Sequence, residues 1–123
     1  MDAEELKKRT KQFGLRIIRL VEALPKSRTA SVIDNQLLRS GTSVGSNYRA
    51  ACRRRSRPDF TSKVGIAIEE ADESLYWMEL LIETGIVPEE RLSDLMQEAD
   101  ELIAIFTSSV KTARSNSSRK SNK

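Results

Sequence analysis

Four stretches of this 123-residue chain repeat apolar residues at alternating steps of three and four, and none alternates with period two for long enough to make a strand. In the first, Leu6, Phe13, Ile17, Leu20 and Leu24 fall on one stripe. Pro25 ends it, because the residue before a proline is pushed out of the α region. Ser27, Thr29 and Ser31 then each offer an N-cap oxygen. The second stretch reads Ile33, Leu37, Ser40, Val44, Asn47, Ala51. In the third, Phe60, Val64, Ala67, Ala71, Leu75, Met78 and Ile82 follow Ser56-Arg57-Pro58-Asp59, a helix start with a capping serine and an early proline. Gly85 fits a left-handed C-cap, and Pro88 opens a fourth stripe of Leu92, Leu95, Ala99, Leu102 and Phe106. Short links between four amphipathic helices make sequential neighbours antiparallel. The expected fold is all-α, an antiparallel up-down-up-down four-helix bundle over residues 1–110. Residues 111–123 are basic and contain no large apolar side chain, which predicts a disordered tail.

The second stripe has a polar seam. Ser40, Val44 and Asn47 lie on it, and residues 39–47 are mostly poor helix formers. Two readings follow: a loop that splits the segment, or one helix whose small residues let a neighbour come close around a buried, hydrogen-bonded Asn47. The unbroken spacing through Val44 and Ala51 favours continuity.

Composition narrows the chemistry. There is no histidine, which removes the commonest general base and most zinc-ligand sets. Glu69 with Glu73, and Glu79 with Glu83, share helix faces, yet a di-metal bundle site wants Glu-x-x-His motifs. No catalytic residue, metal site or cofactor is expected, and an enzyme using carboxylates alone is the least favoured class. The single cysteine, Cys52, allows no internal disulfide. Residues 1–11 lack the apolar stretch of a secretion signal, and no run approaches a membrane span. A cytoplasmic protein without a membrane partner is expected.

Charge is sharply segregated. Residues 1–63 hold 15 Lys/Arg against 6 Asp/Glu, a net +9; residues 64–110 hold 1 against 12, a net −11. The densest cluster is Arg49, Arg53, Arg54, Arg55 and Arg57. Guanidinium groups suit phosphate recognition, so these five are the candidate nucleic-acid-binding residues. They also suit the negative end of a helix dipole or acids on another subunit. No aromatics interleave them, so base stacking is not indicated. A basic flank opposite an acidic one cannot meet its own copy across a two-fold axis without placing like against like. It can meet head to tail, which closes into a ring.

The run Leu37-Leu38-Arg39-Ser40-Gly41-Thr42-Ser43-Val44-Gly45-Ser46-Asn47-Tyr48-Arg49-Ala50-Ala51-Cys52 is continued by Arg55-Ser56 and Asp59-Phe60. With Ile66-Ala67-Ile68-Glu69-Glu70-Ala71-Asp72-Glu73-Ser74-Leu75-Tyr76-Trp77-Met78-Glu79-Leu80-Leu81, it resembles the bacterial four-helix-bundle proteins named after reading frames in 23S rRNA intervening sequences. Many members carry Asn-Ile-Ala-Glu-Gly where this chain has Asn47-Tyr48-Arg49-Ala50-Ala51, so no role of that glutamate and glycine carries over. The resemblance implies a homopentameric ring. It also implies kinship with the accessory proteins of diversity-generating retroelements, basic bundles that bind nucleic acid. The expected function is therefore a non-enzymatic homo-oligomeric binding or scaffold protein, with itself and RNA or DNA as partners. The alternative is a protein-interaction module whose charges serve only assembly.

Overall fold

A computed structural model describes residues 1–121, with side chains through Asn116. Four helices account for it: α1 Ala3–Glu22, α2 Arg28–Cys52, α3 Arg57–Glu83 and α4 Glu89–Ser121. Each neighbour in sequence is a neighbour in space, while α1 and α4 touch only sparsely. The architecture is the antiparallel bundle that the spacing predicts. Among the described residues, no helix is long and apolar enough to cross a membrane.

The helix starts follow from short polar side chains. Asp2 accepts a hydrogen bond from the Glu5 N–H at 2.8 Å, Ser27 from Ala30 at 3.1 Å, and Ser56 from Asp59 at 3.2 Å. Of the three cap candidates before α2, Ser27 takes the role. Gly85 turns the chain after α3 with φ +75°, a conformation glycine adopts without penalty.

The core is a column of interdigitating side chains: Phe13 and Ile17 from α1, Leu37 and Val44 from α2, Met78 and Leu81 from α3, Leu102 and Phe106 from α4. Helix α2 is continuous, and its weak helix formers mark where α1 crosses closely. A Cβ on Gly41 would meet the γ-carbons of Ile17 at 2.6 and 2.7 Å; one on Gly45 would sit 3.3 Å from the Thr10 carbonyl. Glycine in a helix costs about 0.5–1 kcal/mol relative to alanine, and here it permits the approach.

Two expectations are corrected. Asn47 does not occupy the inner seam: it is half-buried, and its Nδ2 donates to the Ser43 carbonyl at 2.9 Å. The register takes a four-residue step from Val44 to the buried Tyr48, whose ring stacks on Phe106 of α4 with centroids 5.5 Å apart. Nor does helix end where packing ends. Val110 is the last buried residue among the described side chains, yet α4 runs unbroken through Ser121, because extending a formed helix carries no nucleation cost. The rest of the predicted disordered tail, residues 122–123, lies outside the described residues.

Candidate nucleic-acid interface

Helix α2 ends at Cys52, and the link to α3 consists of residues 53–56. The Arg53 N–H donates to the Ala50 carbonyl and the Arg54 N–H to the Ala51 carbonyl, closing the helix, so the arginine run hangs at the negative end of the α2 dipole. Arg49, Arg53, Arg54 and Arg55 are exposed and Arg57 is half-buried.

These five carry no counter-charge of their own. Among the described residues none is within salt-bridge distance of a carboxylate. Two other arginines are fully engaged. Arg9 on α1 forks onto Glu98 of α4 at 2.7 and 2.6 Å and reaches Glu101 at 3.2 Å. Hydrogen bonding to Glu98, partly offset by burial, raises its pKa further, so it is a permanent cation used for structure. Arg39 on α2 pairs with Glu70 at 2.9 Å and with Glu73 of α3, and Trp77 donates its indole N–H to the same Glu73 at 3.1 Å.

The five free arginines do not form one patch. Arg49 and Arg53 line a groove of about 600 Å³ between α1 and α2, where they join Lys8 and Lys11 of α1. The glycines and small hydroxyl residues of the crossing lie along the same groove: Thr10 and Gly14 from α1, Thr42 and Gly45 from α2. Lys7 also borders it but is paired with Glu4 at 2.6 Å. Arg54 and Arg57 line a second opening at the end of the bundle, and the Arg54 guanidinium lies 5.2 Å from the centroid of the Phe60 ring. Arg55 lines neither.

Sequence reasoning missed the α1 lysines. Their signal was present, since Lys7, Lys11 and Gly14 keep helical spacing along the flank that faces the glycines of α2. Ser40 and Val44, the other seam residues, are both buried. Ser40 Oγ lies 3.0 Å from Ser74 Oγ of α3, and the Ser74 hydroxyl lies 2.9 Å from the Glu70 carbonyl. No cluster of three or more His, Cys, Asp or Glu side chains among the described residues has metal-binding geometry. Cys52 is a free, half-buried thiol beside Tyr48.

Residues 4–108 match the sequence profile of the 23S rRNA-intervening sequence protein family. The chain belongs to that family. It is also similar to a crystal structure of a Bacteroides thetaiotaomicron protein of unknown function from the S23 ribosomal protein family. The two share 36% identity over 90% of this chain and 99% of the other, with a TM-score of 0.84. No curated protein matches the chain. The family match spans every groove residue named above and all five arginines; Thr112 and the rest of α4 beyond Ser108 lie outside it.

Proposed function

We propose that this member of the 23S rRNA-intervening sequence protein family is a non-enzymatic, self-associating binding protein. In this reading it assembles as a cyclic homo-oligomer, with five subunits favoured by the family resemblance, and its cationic α1/α2 surface holds the phosphate backbone of RNA. The observation that carries this reading is the set of cations left without carboxylate partners: Lys8, Lys11, Arg49 and Arg53 along one groove, with Arg54, Arg55 and Arg57 at its end of the bundle. A phosphate backbone laid along such a surface releases its counterions, which drives association. Binding is weakly sequence-dependent, because no base-reading or stacking platform borders the groove. Repetition around a ring strengthens it through effective concentration.

The test is RNA anisotropy from about 50 to 200 mM salt, where neutralising about six phosphates costs roughly 10³-fold in affinity. A Lys8→Glu, Lys11→Glu, Arg49→Glu, Arg53→Glu variant that keeps its helicity and size loses binding. Equal affinity in the two proteins ends this reading.

One observation favours the alternative that the charges serve assembly alone. The outer strip of α3 exposes Ile66 and Tyr76 among Glu69, Asp72, Glu79 and Glu83, none of which is ion-paired among the described residues. Such a strip complements the α1/α2 groove of a second copy, and the contact is head to tail. Under this alternative the groove variant dissociates in light scattering, and adding Glu69→Lys and Glu79→Lys restores the oligomer. A wild type that is monomeric at micromolar concentration refutes both forms of self-association.

A further inference from the structure

The opening at the end of the bundle has a different character from the groove. It holds about 670 Å³ where the start of α1, the end of α2, the start of α3 and the later turns of α4 converge. Two of its cations are uncompensated. Arg57 is half-buried and, among the described residues, donates no side-chain hydrogen bond and pairs with no acid. Arg54 is steadied over Phe60 without a carboxylate. The acid on the wall, Glu4, is already paired with Lys7 at 2.6 Å.

A neutral donor completes the wall. Tyr48 is only 5% exposed, and its stacking on Phe106 fixes the ring. Tyr48 lines the opening, and among the described residues its hydroxyl is given no oxygen or nitrogen partner. The Cys52 thiol is its hydrogen-bond partner, a weak one. Burial first, then Cys52, push the phenol above its ordinary pKa of 10.0, so it stays a protonated donor at physiological pH. Across the opening, the exposed hydroxyls of Ser108 and Thr112 have no hydrogen-bond partner among the described residues, whereas Ser109 is spent on the Ile105 carbonyl at 3.0 Å.

We propose that this opening is a binding site for a single phosphate group, held by Arg54 and Arg57 and oriented by the hydroxyls of Tyr48, Ser108 and Thr112. Two guanidinium groups and a fixed phenol match the charge and the several acceptor oxygens of a phosphate. An apolar ligand would leave the same donors unsatisfied. The group can arrive as free phosphate or as the terminal phosphate of an oligonucleotide. The site stands whether or not the α1/α2 groove binds RNA.

The experiment is amide and side-chain NMR titration of the full chain with three probes: inorganic phosphate, a short 5′-phosphorylated RNA, and the same RNA with a 5′-hydroxyl. Inorganic phosphate is expected to shift Tyr48, Arg54 and Arg57 resonances saturably. Arg57→Gln should weaken that binding by about tenfold or more, the loss of one charge-assisted contact, and Tyr48→Phe by several-fold with the ring stack intact. A 5′-phosphate advantage that vanishes in Arg57→Gln assigns the site to a nucleic-acid end; inorganic phosphate binding without that advantage assigns it to the free ion. Both support the site. The groove variant of the preceding section should keep phosphate binding while losing RNA, which separates failure of the two ideas. Absence of saturable shifts at the opening, shifts confined to the groove, or equal affinity in Arg57→Gln and wild type would overturn the proposal.

Discussion

Helix α2 meets its two neighbours by opposite means. Toward α1 it presents glycine, and the backbones close until Gly41 has no room for a Cβ against Ile17. Toward α3 it presents side chains: Ser40 meets Ser74 in the dry interior, and Arg39 reaches Glu70 and Glu73 at the surface. The first seam depends on shape, and any added atom must displace a stiff β-branched chain. The second depends on polar matching, so a lost partner matters more than a lost methyl. Both seams lie on a helix whose sequence looks weak by propensity, because propensity weighs neither close approach nor matching.

The largest test of this contrast is Gly41→Val. Its branched side chain must enter space that even a Cβ cannot share with Ile17, and the expected loss is about 3 kcal/mol in chemical denaturation. Gly41→Ala combines a smaller clash with a gain of about 1 kcal/mol in helix propensity, so it should lose only about 1 kcal/mol. A stabilised Gly41→Val variant would show that shape is not what closes this seam.

On its other side α1 is held by charge. That helix touches α4 sparsely, and the Arg9 fork onto Glu98 is its main polar tie there. Their side chains are 24% and 15% exposed, too buried for solvent to replace the lost partner fully. Arg9→Gln should therefore cost about 2 kcal/mol, the usual value of a hydrogen bond to a charged group. The effect should change little with salt, unlike that of a surface pair. A loss that disappears at high salt would make the fork a surface ornament and leave the α2 crossing as the sole anchor of α1.

What the sequence reveals of this molecule tracks how local each cause is. The stripes of α3 and α4, the Ser56 cap and the turn at Gly85 depend on residues within a few positions, and spacing reads them directly. The choice between Asn47 and Tyr48 does not. Adjacent residues at steps of three and four fit the pattern equally, and the decision comes from Phe106, more than fifty residues away, on which the Tyr48 ring stacks. Charge behaves alike. The arginine cluster is visible as composition, but its freedom emerges only when Arg9 and Arg39 are seen to take acids 89, 31 and 34 residues distant. The helix beyond Val110 is hidden from the sequence for a related reason. Missing apolar residues report missing packing, and α4 needs none to continue through Lys111, Ala113 and Arg114, all good helix formers.

The smallest effect concerns the serine pair. Each hydroxyl has one proton. With Ser74 donating to the Glu70 carbonyl at 2.9 Å, Ser40 is free to donate to Ser74 at 3.0 Å, and its own alternative, the Leu37 carbonyl, is longer at 3.4 Å. Ser40→Ala then orphans no donor, whereas Ser74→Ala leaves Ser40 with only the longer bond. Ser74→Ala should be the costlier single change, by about 0.5 kcal/mol. The double variant should cost no more than Ser74→Ala alone, because removing both partners relieves the unmet group and alanine favours the helix. A double-mutant cycle in denaturant should return a coupling of about 0.5–1 kcal/mol between the two positions. Additive losses would mean that the hydroxyls are satisfied separately within their own helices, and that α2 packs on α3 by shape alone, just as it packs on α1.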